Sequence, residues 1–272
     1  MYKQFFGLKE KPFNVTSDPN FLFLSRIHKE AISHLIYGIR EKKGFIEITG
    51  EVGAGKTTLC RALLNQFDIN TKSAFIFNST LPDIQLFQTI LEDFGISVQN
   101  KTKSSMLRQF NAFLVEEAAK NNNVILIIDE AQNLKISVLE ELRLLSNLET
   151  EKEKLFQMIL VGQPELRDKI NSPSLKQLKQ RIGVRCHITA LEKDEVGEYI
   201  YHRLRIAGSN GEICFSDEAL DAIFKYSGGI PRLINKVCDK ALLLAYVLET
   251  KDIETSIIGR SVQEIEGVVA GA

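Results

Sequence analysis

The sequence predicts an α/β fold, in which a parallel β-sheet covered by helices is followed by a separate helical unit. Three observations predict this fold. Segments with strand character alternate with helical patterns through about residue 191, the apolar run Val124–Ile128 is typical of a strand buried on both faces, and the strand pattern stops after that point. With 272 residues, of which 44% are hydrophobic and 25% charged, the chain has a globular composition and can bury a full core.

The elements of the first 191 residues follow from hydrophobic periodicity and from their boundaries. The predicted strands lie at residues 44–49, 74–77, 124–128, 156–161 and 185–189. The predicted helices lie at residues 28–40, 56–65, 83–94, 104–120 and 137–148. Because predicted helices lie between the first four strands, the pattern predicts parallel pairing with helices on both faces of the sheet.

The remainder of the chain reads as helices only. These are predicted at residues 194–207, 216–226 and 231–248, and Ser216 has the residue type and acidic successors of a helix N-cap. We therefore divide the chain into an α/β core that includes the N-terminal segment, residues 1–191, and an all-helical C-terminal domain, residues 192–272.

The glycine-rich turn after the first predicted strand fits the phosphate-loop pattern G-x-x-x-x-G-K-[ST]. Its glycines let the backbone turn sharply, and the following helix directs the positive end of its dipole at an anion. Lys56 is predicted to reach the β- and γ-phosphates, and the Thr57 hydroxyl to bind Mg²⁺. The residues predicted to bind the nucleotide here are Gly50, Glu51, Val52, Gly53, Ala54, Gly55, Lys56, Thr57 and Thr58. The sequence therefore predicts a P-loop NTPase that binds a nucleotide together with Mg²⁺.

Two adjacent carboxylates, Asp129 and Glu130, follow the buried run Val124–Ile128. Parallel sheets bind ligands at the carboxyl ends of their strands, so Asp129 is predicted to hold Mg²⁺ and Glu130 to activate the attacking water as a general base. The alternative, a structural carboxylate pair at a strand exit, is disfavoured by the upstream phosphate loop. Glu130 also favours hydrolysis over a module that only binds nucleotide.

Motifs spread along the chain as far as Leu248 resemble those of AAA+ ATPases, and more narrowly those of the ExeA/GspA family of general secretion pathway protein A. The matching stretches are FFGLKEKPFNVTSDPNFLFLS, GEVGAGKTTLCRALL, IIDEAQNL, LVGQPELR and SGGIPRLINKVCDKALL. The resemblance implies an AAA+ core with a helical lid.

The resemblance also implies roles for single residues outside the phosphate loop. Gln163 matches the polar sensor of the γ-phosphate, although a residue before Pro164 also suits an ordinary loop. Arg232, in the first turn of a predicted helix, matches the lid arginine that binds the γ-phosphate. Phe13 and His28 fall in the adenine-side segment, although a helix-start histidine also suits His28.

An arginine finger, which completes the active site of a neighbouring subunit, is a further implication of the resemblance. Arg181 fits its position before the last strand best, Arg185 and Arg167 are the other candidates, and a surface role for Arg181 stays open. Self-association is therefore expected.

The family resemblance implies a cytoplasmic ATPase module that supports secretin assembly in the general (type II) secretion pathway, with protein partners in the cell envelope. Family members often continue into a membrane helix and a periplasmic peptidoglycan-binding part, and the printed chain has no apolar run near the required 18 or so residues. Either such parts lie beyond Ala272 in a longer protein at the inner membrane's cytoplasmic face, or this is a cytoplasmic relative.

The competing function is a DNA-associated AAA+ ATPase of the transposition-helper or initiator type. The formal net charge of -1, from 34 basic and 35 acidic residues, argues against strong non-specific binding to nucleic acid. The basic stretch Lys176–Arg185 keeps a local patch open.

Overall fold

The computed structural model describes residues 2–77, 79–146 and 154–267. The described chain divides into an α/β unit, residues 29–52 and 59–188, and a helical unit, residues 2–28, 53–58 and 189–267. The predicted division joined the N-terminal segment to the α/β core, whereas here this segment groups with the C-terminal helices. None of the helices in the described ranges has the length and apolar character that spanning a bilayer requires.

The α/β unit contains a five-stranded sheet in which all neighbouring strands are parallel. The strands are β1 (Phe45–Gly50), β2 (Thr71–Ile76), β3 (Asn123–Ile128), β4 (Gln157–Gly162) and β5 (Ile182–Ile188). Their spatial order is β2-β3-β4-β1-β5. In this register Thr49 lies opposite Gly162, and Ile128 lies opposite Leu160. The residues that follow β1, β3 and β4 therefore emerge at the same edge of the sheet.

Helices cover both faces of this sheet. They are α2 (Arg26–Arg40), α3 (Lys56–Leu64), α4 (Asp83–Asp93), α5 (Lys103–Ala119), α6 (Ile136–Leu145), α7 (Pro164–Asn171) and α8 (Lys176–Arg181), of which α2 and α3 begin in residues of the helical unit. Val124, Leu126 and Ile128 of β3 join the core cluster formed with α4 to α8, while Ile125 and Ile127, on the opposite face, are also fully buried. A strand buried on both faces explains why its sequence is an unbroken apolar run.

The helical unit has its own hydrophobic core. Its elements are α1 (Tyr2–Phe5), α9 (Lys193–Ile206), β6 (Cys214–Phe215), α10 (Asp217–Ser227), α11 (Pro231–Val247), β7 (Asp252–Ile253) and α12 (Thr255–Ile265). The Ser216 hydroxyl accepts the Ala219 N–H at 3.1 Å, which confirms the predicted N-cap.

The α/β fold with a helical C-terminal part is confirmed, and three details differ from the prediction. The C-terminal part is not all-helical, because β6 and β7 pair in parallel; two-residue strands are too short to give a periodic signal. Helices α1, α7, α8 and α12 were not predicted. The predicted helix at 137–148 ends at Leu145, and its last two residues lie outside the described ranges.

Candidate functional site

The phosphate loop connects β1 to α3, as the motif predicts. Gly53 and Gly55 have φ angles of +84° and +98°, which L side chains rarely adopt, so these positions need glycine. Helix α3 begins at Lys56, whose side chain is 6% exposed. The first four N–H groups of a helix have no acceptor within it, so this end of α3 favours an anion such as phosphate.

His28 lies against the phosphate loop within the helical unit. Its Nε2 is 3.2 Å from the Ala54 carbonyl oxygen, and its Nδ1 is 2.6 Å from the Ser25 Oγ. Burial lowers the pKa of His28, so the ring is neutral at pH 7. Because a carbonyl only accepts, Nε2–H donates to Ala54 and Nδ1 accepts from Ser25. The bonds thus connect His28 to the loop backbone, and its predicted contact on the adenine side stays a prediction.

Arg232 also lies at the phosphate loop. It is in the first turn of α11, and its backbone N–H donates to the Gly53 carbonyl at 3.3 Å. A Cβ at Gly53 would lie 2.5 Å from the Arg232 Cβ, so the absence of a side chain at Gly53 permits this approach. The exposed Arg232 side chain therefore starts next to the predicted phosphate site, and its contact with the γ-phosphate stays a prediction.

The N-terminal segment is attached to the helical unit by Arg203, a residue that the sequence analysis did not identify. Its Nε donates to the Pro12 carbonyl at 2.5 Å, its Nη2 donates to the Asn14 carbonyl at 3.1 Å, and its guanidinium lies 4.7 Å from the Phe21 ring centroid. The Phe13 ring is buried in the core of this unit. A contact of Phe13 itself with adenine would therefore come from its backbone, and the adenine-side role of this segment stays a prediction.

At the carboxyl edge of the sheet, the chain turns sharply as it leaves β3. Asp129 is 4% exposed, and its Oδ1 accepts the Glu130 N–H at 2.9 Å. Glu130 has a φ of +51°, a left-handed conformation that costs a non-glycine residue roughly 1–2 kcal/mol. The Ser79 hydroxyl donates to the Glu130 carbonyl at 2.7 Å and helps to hold this turn.

Two amide side chains hold the Glu130 carboxylate. Gln163, directly after β4, donates from Nε2 to Glu130 Oε2 at 3.2 Å. Gln132 donates from Nε2 to the same oxygen at 2.6 Å. The structure thus brings together the predicted general base and the predicted sensor. Gln132 was missed, and the available signal was its place in the run IIDEAQNL.

The predicted Mg²⁺ ligands have suitable chemistry. Thr57 offers a hydroxyl oxygen and Asp129 a carboxylate oxygen, and Mg²⁺ prefers oxygen ligands and is often bound by one or two protein groups together with substrate phosphates. The donor set therefore fits a nucleotide-bound Mg²⁺.

The three candidates for the arginine finger have different surroundings in the α/β unit. Arg181 ends α8, and its Nη1 donates to the Ser146 Oγ at 3.0 Å. Arg185, on β5, places its Nε 3.4 Å from Oε2 of Glu47, a buried residue of the neighbouring strand β1. Arg167 is exposed, and its charge also acts on Glu47. The buried Glu47 carboxylate therefore attracts Arg185 and Arg167, and the assignment of the finger to Arg181 stays a prediction.

The buried carboxylate of Glu47 predicts that the stability of the fold depends on pH. Burial raises the pKa of Glu47 above its ordinary value, while the charges of Arg185 and Arg167 oppose that rise. A raised pKa in the folded state means that the stability contributed by protonated Glu47 is present below the unfolded pKa of about 4.3 and is lost as the pH rises through the folded value.

We therefore expect Glu47→Gln to gain stability relative to the wild type as the pH rises from about 4 to 7. Urea unfolding of both proteins across that range measures the free energy of unfolding. Glu165→Gln, at an exposed site on α7, is the control for removing a carboxylate. A constant difference between Glu47→Gln and the wild type, or one that shrinks as the pH rises, would contradict the expectation.

The chain is similar in sequence to known proteins. The AAA domain family matches residues 39–170. General secretion pathway protein A of Aeromonas hydrophila is 40% identical over 269 residues, which are 98% of this chain and 49% of that protein. The chain thus spans about half the length of this curated relative.

Solved structures share the fold at low sequence identity. The ORC2 protein of Aeropyrum pernix has a TM-score of 0.70 at 18% identity, with 94% of this chain and 72% of that chain covered. Cdc6p of Pyrobaculum aerophilum has a TM-score of 0.68 at 17% identity, with 93% and 71% covered. The RuvB branch migration motor of Thermotoga maritima has a TM-score of 0.55 at 18% identity, with 88% and 68% covered.

Proposed function

Because the chain belongs to the family of AAA ATPases that includes general secretion pathway protein A, we propose that it binds ATP with Mg²⁺ and hydrolyses it to ADP and phosphate. The phosphate loop between β1 and α3 carries this proposal. The loop combines two glycines with positive φ, a buried lysine and a helix start, all of which suit the phosphates of a nucleotide.

In the proposed reaction, each residue has one task. Backbone N–H groups of the loop and the Lys56 ammonium bind the phosphates, and Thr57 and Asp129 hold Mg²⁺, which neutralises the charge that develops on the phosphates. Glu130 takes a proton from the attacking water. Gln163, bonded to Glu130, orients that water near the γ-phosphate, and Arg232 responds to the γ-phosphate from the helical unit.

We further propose that this ATPase acts in the general (type II) secretion pathway, as the cytoplasmic module of a factor that supports secretin assembly. The support is the 40% identity with general secretion pathway protein A along nearly the whole chain. Because ATP is available in the cytoplasm, a cytoplasmic position suits the proposed ATP hydrolysis. The proposed partners are envelope proteins of the secretion machine and further copies of this chain.

Hydrolysis is proposed to be slow in the monomer and to depend on self-association. A phosphate loop and a general base leave part of the charge on the γ-phosphate without a counter-charge, and an arginine from a neighbouring subunit supplies it in many NTPases. Arg181 is the proposed donor, because its guanidinium is bonded to a neutral hydroxyl, that of Ser146, whereas Glu47 attracts the other two candidates.

The proposed function is tested by measuring phosphate release per protein at increasing protein concentration, together with the molecular mass in the presence and absence of a non-hydrolysable ATP analogue. We expect the specific activity to rise with concentration and the analogue to promote assembly. In the assembled state Arg181→Ala should lower the rate roughly 10³- to 10⁵-fold, the range expected for the loss of an arginine finger.

Further variants show whether Arg181 acts on the active site of a neighbouring subunit or within its own subunit. Mixing Arg181→Ala with Glu130→Gln should restore activity, because some mixed sites then combine an intact Glu130 with an intact Arg181. Arg167→Ala, at an exposed position in the same unit, is the comparison. A specific activity independent of concentration would contradict the trans arginine, and no phosphate release at any concentration would contradict the proposed ATPase.

A further inference from the structure

The turn Ala131–Asn133 after Glu130 contains an ordered polar side chain with no role in the reaction as described so far. This single 3-10 turn begins directly at Glu130, and its middle residue is Gln132. Gln132 is half-buried and bonds through its side-chain nitrogen, its side-chain oxygen and its backbone carbonyl. A side chain that uses all of its polar groups in this way is held in one orientation.

The bonds of the Gln132 amide connect the two polar residues of the proposed reaction. Its Nε2 donates to Glu130 Oε2 at 2.6 Å, and its Oε1 accepts the backbone N–H of Gln163 at 3.2 Å. A carboxylate only accepts and a backbone N–H only donates, so a single orientation of the amide satisfies both partners. Gln163 closes the ring by donating its own side-chain amide to Glu130 Oε2.

The surroundings of Gln132 support this arrangement from two further sides. Lys169, on α7, donates its ammonium to the backbone carbonyls of Gln132 and Leu134. A Cβ at Gly162, the last residue of β4, would lie 2.7 Å from Gln132 Oε1. The amide therefore occupies space that only a glycine at this position leaves open.

We propose that Gln132 is a positioning residue that fixes the Glu130 carboxylate and couples it to Gln163. The inference rests on the proposed hydrolysis of ATP, in which Glu130 is the base. A shift of Gln163, at the end of β4, changes the bonds of Glu130 both directly and through Gln132. The state of the γ-phosphate sensor is thereby transmitted to the base by two hydrogen-bonded routes.

The test is a comparison of Gln132→Met with the wild type under conditions in which the wild type hydrolyses ATP. Methionine keeps the length of the side chain and removes both hydrogen bonds. We expect kcat to fall roughly 10- to 100-fold, as for lost bonds to a charged group, with the Kd for ATP changed by less than about twofold. Asn133→Ala, an exposed neighbour in the same turn, is the matched control and should keep both values.

Two more variants separate positioning from a structural role. Gln132→Glu keeps an acceptor for the Gln163 N–H but places a second carboxylate against Glu130, so its kcat should be at least as low as that of Gln132→Met. Gly162→Ala keeps Gln132 but displaces its amide, and the new Cβ would also meet the buried Leu166 within 2.9 Å, so kcat should fall in the same direction with a lower Tm. Thermal unfolding of each variant without nucleotide records the structural effect.

The outcomes distinguish this inference from the function on which it rests. Wild-type kcat in Gln132→Met, with or without a lower Tm, would overturn the positioning role while leaving the ATPase intact. An equal loss of ATP affinity and rate would also overturn it, because the residue would then act on binding. A wild-type protein without ATPase activity would instead refute the proposed function.

Discussion

Replacing Glu130 with glutamine should greatly slow ATP turnover while leaving ATP bound. Glutamine has nearly the same shape, and its side-chain oxygen can still accept the amides of Gln132 and Gln163 that now bond to Glu130 Oε2. It cannot take a proton from water, so the contribution of the general base is lost. That contribution is worth roughly 10²- to 10⁴-fold in rate.

The measurement is single-turnover hydrolysis of ATP combined with equilibrium binding. We expect the rate of Glu130→Gln to fall by that factor, with the Kd for ATP unchanged or lower. Glu165→Gln, an exposed carboxylate on α7, controls for the loss of one negative charge and should retain the wild-type rate. Unchanged turnover in Glu130→Gln would remove Glu130 from the mechanism and return the carboxylate to a structural role.

Replacing Lys56 with alanine should remove tight ATP binding. The ammonium of Lys56 is buried at the start of α3, where it is expected to meet the β- and γ-phosphates. Truncating one partner of such a buried charge pair costs about 2–5 kcal/mol, which is roughly a 30-fold to several-thousand-fold loss of affinity. Hydrolysis should fall with it at any ATP concentration below the new Kd.

The clearest measurement for Lys56→Ala is the rise in Tm that Mg²⁺ and ATP produce. A ligand at 100 times its Kd stabilises the folded state by about 2.7 kcal/mol, so a loss of affinity removes the shift. The Tm without nucleotide shows whether the variant folds. Lys72→Ala, at an exposed position on β2, should keep the nucleotide-dependent shift. A full shift in Lys56→Ala would contradict the assignment of the phosphate loop.

The parallel sheet was predictable because a strand that is buried on both faces has apolar residues at every position. The run Val124–Ile128 is apolar at every position, and the structure buries each of its side chains. The short strands β6 and β7 could not be predicted in this way, since two residues are too few to show an alternating or continuous apolar pattern. The N-terminal segment was also assigned to the other unit, because the bonds that join it to the helical unit, such as those of Arg203, connect residues some 190 positions apart.

The sequence by itself determined the family, the parallel sheet, and the local motifs at Gly50–Thr58 and Asp129–Glu130, because these depend on neighbouring residues and on periodicity. Tertiary structure alone decided which side chains surround those motifs. Gln132 and Gln163 lie 31 residues apart, yet both hold Glu130, since β3 and β4 are adjacent in the sheet. Likewise, Glu47 reaches Arg185 because β1 and β5 pair. The physical reason is that hydrogen bonds and ion pairs act over a few ångströms of space, and only the order of the strands determines which distant residues come that close.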